Sequence, residues 1–401
     1  MPRLGPRLAR RLGLALAVAL IAAAAPAGAQ TRSKSEPPAN AEPAAKPEAS
    51  SKRLRAKQAP PGSAEPQARP SGRVQEAGPW RPDERISNPK AYRPRAGEMR
   101  IGVGHGIGFL PVFLANDLKL FDKHARAAGL NGRITIQRFY SSGALHQALD
   151  KGDLAAGTYG LSAFLQARES PKQLVAISGV TTLPLVLLTS RADIKALADI
   201  KPGQKIAVPL MTAPQMSYLR MQADQWFTGG LWTRLQRQVV VMPHQDAVEA
   251  LTEGKGEIAA YFSSPPYTQV ALKDARVRPI LSSVEALGGK SSFFVIASPR
   301  ETLAAEPKLA EVVAKAIDEA AAIIAKDPKQ AALTWLKYEP SHKLDVRAVE
   351  TILRDLKEEF GSGIYGVTAT ATFLARDGKL KSAVWNWKDV VAPALAAGPG
   401  S

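Results

Sequence analysis

From Met99 onward the chain alternates between two hydrophobic periods in a fixed order, and this alternation limits its possible folds more than any other feature. "MRIGVG" is a short apolar run. "PVFLANDLKLFDKHARAAG" follows with helical spacing, Pro111 at its first turn and Gly129 at its end. "RITIQRFY" alternates like a strand, "GALHQALDKG" is helical, and "DLAAGTYG" is a third strand closing on glycine. "PKQLVAISGVTTLPLVLLTS" adds one or two buried strands. A second series follows: a surface helix, the strand Lys205 to Pro209, a helix opening near Thr212, the strand "QVVVMP", the helix "HQDAVEALTEGK", the strand "GEIAAYF" and "SSPPYTQVAL". "SSFFVIAS" is a further strand, and the remainder is mostly amphipathic helix. Strands separated by helices at this spacing pair largely in parallel, so the expected class is α/β, with two blocks and a helical return.

The first 98 residues do not share this pattern. "MPRLGPRLARRLGLALAVALIAAAAPAGAQ" joins four arginines to an apolar run and an Ala27-Gly28-Ala29 end, as a secretory signal peptide does. The competing reading is a membrane anchor, but the apolar run of about 14 residues is short for a bilayer span. Arg10-Arg11 leaves the export route open between the Sec and twin-arginine pathways. Residues 30–98 are Pro, Ala, Ser and charge with few large apolar side chains, and they read as a disordered linker. Signal cleavage after Ala29 places the mature chain in the periplasm. The absence of cysteine excludes disulfides, thiol catalysis and Cys-ligated zinc. The net charge of +17 is spread along the chain rather than gathered on one helix or among aromatics, which argues against a nucleic-acid partner.

"MRIGVGHGIGFLP" invites comparison with a dinucleotide loop, which needs G-x-G-x-x-G and an acidic residue closing the second strand. Ile107 or Phe109 stands where the third glycine belongs, and the second strand ends in Gln137-Arg138-Phe139-Tyr140. The loop is therefore expected to bring backbone close to a ligand without binding a nucleotide.

Five stretches in order carry a family resemblance: "PVFLANDLKLFDKHA", "ALDKGDLAAGTYGLSAFLQA", "LADIKPGQKIAV", "AVEALTEGKGEIAAYFSSPPY" and "ATFLARDGKLKSAVWNWKDVV". Over about Met99 to Val391 the chain resembles the periplasmic substrate-binding proteins of ABC importers for nitrate, sulfonate, taurine and thiamine-precursor pyrimidine. It departs from their pattern at Leu154-Ala155, Ala259 and Met211-Thr212, positions that bear on the ligand more than on the fold. The resemblance implies a type 2 periplasmic-binding-protein clamp of two lobes, each a central sheet flanked by helices, with a ligand cleft between them. Residues 99–189 and 285–391 would form the first lobe and 190–284 the second, with crossings near Leu188 and Ser291 and a flexible tail over 392–401. It implies a monomer without cofactor or metal that delivers its ligand to an ABC transporter permease in the inner membrane.

In such a clamp the ligand meets strand C-termini and helix N-termini. The candidate contacts are His105, Phe109, Ser141, Ser142, Thr158, Tyr159, Thr181, Thr212, Gln215, Ser264 and Tyr267, with Tyr140 and Tyr261 as further aromatic walls. Among these loops only His105 and Lys290 are counted as cations, so hydroxyls and backbone N–H groups are expected to hold an organic sulfonate or related anion. The alternative ligand is a neutral aromatic heterocycle such as a pyrimidine, and the alternative role is a sensor that presents its ligand to a receptor. Plain structural roles compete at each position: Ser141, Ser142 and Thr212 as helix caps, Phe109 and Tyr159 as packing, Pro265-Pro266 as a turn. His124, His146, His244 and His342 are read as helical or surface residues without metal-ligand spacing. An enzyme is not expected, because "GLSAF" lacks the closing glycine of a nucleophile elbow. A pyrimidine synthase of similar fold uses a cysteine-rich motif that this chain lacks.

Overall fold

The computed structural model describes residues 97–401 apart from 212, 227–229, 255, 341–342 and 382–383, all within one compact unit. The expected signal peptide lies outside the described residues. So does the expected linker except for Gly97 and Glu98, and Glu98 already belongs to the first strand.

Two five-stranded sheets organise the described chain, and they share one pattern. The first contains β1 (Glu98–Val103), β2 (Arg133–Arg138), β3 (Ala156–Gly160), β4 (Leu174–Thr181) and β10 (Phe294–Pro299), in the order β2-β1-β3-β10-β4. The second contains β5 (Val186–Thr189), β6 (Lys205–Val208), β7 (Val239–Val241), β8 (Ile258–Ser263) and β9 (Arg278–Ser282), in the order β7-β6-β8-β5-β9. β1, β2 and β3 pair in parallel, as do β6, β7 and β8. In each sheet a fourth strand runs antiparallel, β10 against β3 and β4, and β5 against β8 and β9. The expected boundary at 189/190 and the crossing near Leu188 are corrected by this pairing. Leu187 and Leu188 hydrogen-bond into the second sheet, so the chain has crossed before Val186. After the helix Ser283–Leu287 the chain returns to the first sheet between Leu287 and Phe294, a stretch that contains Ser291.

The helices fill the intervals that the sequence pattern marks. α1 (Leu110–Asp117) opens with Pro111 in its first turn, and α2 (Leu120–Ala128) stops at Gly129, whose φ of 64° suits the left-handed cap. α3 (Ser142–Asp150) and α4 (Leu161–Ala167) follow β2 and β3. α5 (Pro214–Trp226), α6 (Leu231–Leu235), α7 (His244–Glu253), α8 (Tyr267–Ala271) and α9 (Ser283–Leu287) serve the second sheet. α10 (Arg300–Ala305), α11 (Leu309–Lys326), α12 (Pro328–Tyr338), α13 (Val346–Asp355) and α14 (Val367–Arg376) form the helical return. α11 buries Leu309, Val312, Val313, Ala316, Ile317, Ala320 and Ile324, a stripe at the spacing that keeps one helix face on a core. Asp327 ends α11 and caps α12 through the Gln330 N–H, which splits what reads in sequence as continuous helix.

One buried cluster runs from the first lobe through Leu183 and Leu185 into the face of the second sheet under α5. A smaller core of Leu188, Ala207, Ala247, Leu251 and Tyr261 lies under α7. The tail 392–401, expected to be flexible, is tied down. Ala392 donates to Ala176 O at 2.8 Å, Leu395 joins the core, and Gly400 pairs with Ile364. Its apolar side chains and backbone bonds give it partners that composition does not reveal.

Candidate ligand-binding cleft

Strand direction fixes where a site can form. The C-terminal ends of β1, β2, β3 and β4 lie at the same edge of the first sheet as the N-terminal end of antiparallel β10, and both crossings leave from that edge. The second sheet repeats this with β6, β7, β8, β9 and β5. The loops at these ends therefore face the space between the lobes. Among the described residues, the contacts of the second lobe with the first lobe and with the second crossing include those of Pro214, Tyr218 and Arg220. A Cβ on Gly160 would lie 3.0 Å from Pro214, Tyr218 Oη is 3.3 Å from Ser291 Oγ, and Arg220 pairs with Asp377.

On the first lobe the loop after β1 carries His105, whose ring stacks on Tyr140 at the end of β2, with centroids 4.3 Å apart and planes 14° apart. Arg138, the last residue of β2, is buried beside them. Its Nη2 lies 2.5 Å from His105 Nδ1 and 2.5 Å from Glu339 Oε1, and its Nη1 donates to Tyr338 O at 2.6 Å. Glu339 Oε1 also accepts the Gly106 N–H at 3.0 Å. Gly106 has a φ of 108°, where an L side chain is strained, so glycine is what lets this amide turn toward the carboxylate. Burial pushes the Glu339 carboxyl up, but its contacts with His105, Arg138 and the Gly106 amide outweigh burial and hold it below the usual range. Burial lowers the Arg138 pKa and Glu339 opposes that.

The second lobe has a matching pair in a different medium. His244, first residue of α7, stacks on Tyr267, first residue of α8, at 4.6 Å and 14°. His244 Nδ1 is hydrogen-bonded to the Tyr261 hydroxyl and Nε2 lies 3.3 Å from Ser264 Oγ. Burial holds His244 down at about 4, so this ring is neutral at ordinary pH. Tyr267 is pushed up to about 12, first by burial and then by the charge of Glu339, which reaches it from the first lobe.

The expected contacts are distributed unevenly around this space. His105, Ser264 and Tyr267 take part in the two clusters. Phe109 is buried and stacks on Phe294 at 4.1 Å, filling the space beside Gly104, so packing accounts for it. Tyr159 is buried with its hydroxyl 3.1 Å from His146 Nδ1 on α3. Ser141 is the cap of α3, accepting the Ala144 N–H at 3.1 Å, and Ser142 is exposed beside it. Thr158, Thr181 and Gln215 are buried, and among the described residues Thr181 Oγ1 and Gln215 Oε1 have no hydrogen-bond partner. Thr212 lies outside the described residues. The Lys290 ammonium is engaged by Glu358 O at 2.8 Å and Glu359 at 3.4 Å.

Sequence reading misses three residues here. Arg138 corrects the count of His105 and Lys290 as the only cations, and its signal was its place at the end of a strand. His244, read as a helical or surface residue, is helical as expected but only half-exposed, with both ring nitrogens engaged; it follows "QVVVMP" at another strand end. Glu339 has no local signal, because it meets Arg138 from 201 residues away in sequence.

No protein-family model matches the chain, and no curated protein matches it. Solved structures do. The periplasmic aliphatic sulphonate-binding protein of Escherichia coli is similar with a TM-score of 0.56 and 20% identity, over 72% of this chain and 90% of that one. The alkanesulfonate-binding protein of Xanthomonas axonopodis pv. citri, bound to MOPS, gives 0.54 and 20% over 75% and 99%. The ligand-binding component of an ABC-type import system of Staphylococcus aureus gives 0.52 and 14% over 75% and 97%. The chain has the two-lobed α/β fold of the type 2 periplasmic binding proteins.

Proposed function

We propose that this chain is an exported, periplasmic solute-binding protein, a binder rather than an enzyme, that captures a small organic ligand between its lobes and presents the closed form to the permease of an ABC importer in the inner membrane. The observation that carries the reading is the pair of His/Tyr stacks, one at the cleft edge of each sheet, on lobes joined by the segments 182–185 and 288–293. Rotation about two short crossings brings both stacks onto one ligand. An organic sulfonate is the class expected from the sequence, and it is the ligand class of the first two similar structures. The cleft offers such a ligand hydroxyls and backbone N–H groups, while Arg138 and Lys290 are already paired with carboxylates.

The test is a thermal-shift screen of the mature chain against alkyl and aryl sulfonates, nitrate, carboxylates, amines and pyrimidines, followed by uptake of the stabilising solute in cells with and without the chain. A ligand at a hundred times its Kd adds about 2.7 kcal/mol of stability. The reading predicts stabilisation by one solute class and loss of its uptake without the chain. Unchanged uptake would overturn it.

A further inference from the structure

The two oxygens of the Glu339 carboxylate are used differently. Oε1 takes the Gly106 N–H at 3.0 Å and Arg138 Nη2 at 2.5 Å, and lies 3.4 Å from His105 Nδ1. No donor among the described residues reaches Oε2, and the side chain keeps 14% of its surface open. Glu339 sits against the first cleft loop, and its charge acts on the Tyr267 hydroxyl of the opposite lobe. Glu339 thus stands beside the His105/Tyr140 stack at the cleft edge of the first lobe, with Oε2 left over from the Gly106 and Arg138 contacts.

An anion entering the cleft at that edge meets a carboxylate. The two first-lobe groups best suited to hold it, the Arg138 guanidinium and the Gly106 amide, are already on Oε1, and Lys290 is held by Glu358 and Glu359. The wall opposite is neutral, since His244 is half-buried with its ring nitrogens on tyrosine and serine hydroxyls and its pKa held down at about 4. The geometry points to Glu339 as the residue that sets ligand selectivity, accepting at Oε2 an N–H of a flat amine, amidine or amide whose ring lies on the tyrosines, and rejecting a free sulfonate. Tyr140, 61% exposed with its other face on His105, offers such a ring a stacking surface and a cationic head an attractive π-face. This selectivity rests on the solute-binding reading above.

Calorimetric titration of the chain with benzamidine, benzamide and benzenesulfonate keeps the ring constant and changes only the head. Benzamidine is expected to bind most tightly and benzenesulfonate about tenfold or more below it, the size of a charged hydrogen bond gained or opposed. Glu339→Gln is expected to weaken benzamidine about tenfold and to leave benzenesulfonate equal or stronger. Circular dichroism melting of the variant runs alongside; should the variant unfold, the order of heads on the wild-type chain decides alone. Benzenesulfonate binding as tightly as benzamidine overturns the selectivity and leaves the solute-binding reading intact. Absence of binding by all three, or a folded Glu339→Gln chain that keeps its benzamidine affinity, also overturns the selectivity. Failure of the solute-binding reading shows separately, as uptake that does not depend on the chain.

Discussion

The two lobes each present a histidine stacked on a tyrosine, and the chemistry of the two pairs is opposite. His105 and Tyr140 stand beside an ionised Arg138–Glu339 pair, with Tyr140 largely in solvent. His244 and Tyr267 stand half-buried among hydroxyls, where neither ring is charged at neutral pH. One lobe orients its aromatic pair by charge and the other by desolvation. The difference shows that similar residues at equivalent strand ends acquire different properties from what the rest of the fold packs against them.

The largest expected effect comes from removing the charge on the first lobe. Glu339→Leu leaves Arg138 buried without its countercharge, and chemical unfolding should show a loss of about 3 to 5 kcal/mol. A loss below about 1 kcal/mol would mean that solvent already screens this pair. Next comes acid. A histidine at about 4 when folded and near its ordinary 6.5 when unfolded binds its proton first in the unfolded chain. Its contribution is complete above about 6.5 and is lost as pH falls toward 4, by about 3 kcal/mol. The lowered Glu339 carboxyl acts in a lower window, its contribution being present above the unfolded carboxylate range and lost as pH falls through the folded value. His244→Gln should flatten the stability curve between pH 6.5 and 4, while Glu339→Gln should lower stability throughout the range above the carboxylate window and remove the pH dependence only within that lower window. A curve that His244→Gln leaves unchanged would break the comparison.

Tyr261→Phe is smaller. It removes the hydroxyl on His244 Nδ1 and leaves that atom unsatisfied in a buried place, at about 1 to 3 kcal/mol in unfolding measurements. Tyr140→Ala is the smallest for stability, within about 0.5 kcal/mol because the ring is largely exposed. Its effect should appear in ligand affinity alone, measured by titration. A Tyr140→Ala chain that loses stability instead would show that the ring supports His105 and Arg138 rather than a ligand.

Much of the fold was legible because its causes are local. The strand β1, the Pro111 and Gly129 limits of the first helical stretch, and the cap at Ser141 each follow from residues within a turn of one another. The placement of β5 was not, because "LPLVLL" is apolar throughout and only pairing with Tyr261 to Ser263 decides its sheet. The tail 392–401 failed for a similar reason, since its partners Ala176 and Ile364 are remote in sequence.

The candidate site divides along the same line. Alternating periods of hydrophobicity determined an α/β class with two blocks, and the strand-end rule pointed to the loops of His105, Tyr140, Ser264 and Tyr267, which lie at the C-terminal strand ends of the two sheets. Charge at those loops was a matter for the tertiary structure alone. Glu339 arrives from the helical return, meets Arg138 and the Gly106 amide inside the first cleft loop, and turns a wall that seemed open to anions into one already occupied by a carboxylate. Local sequence carries hydrogen-bonding capacity and periodicity; the dielectric around a side chain and the charge opposite it are set by whatever the complete fold brings near.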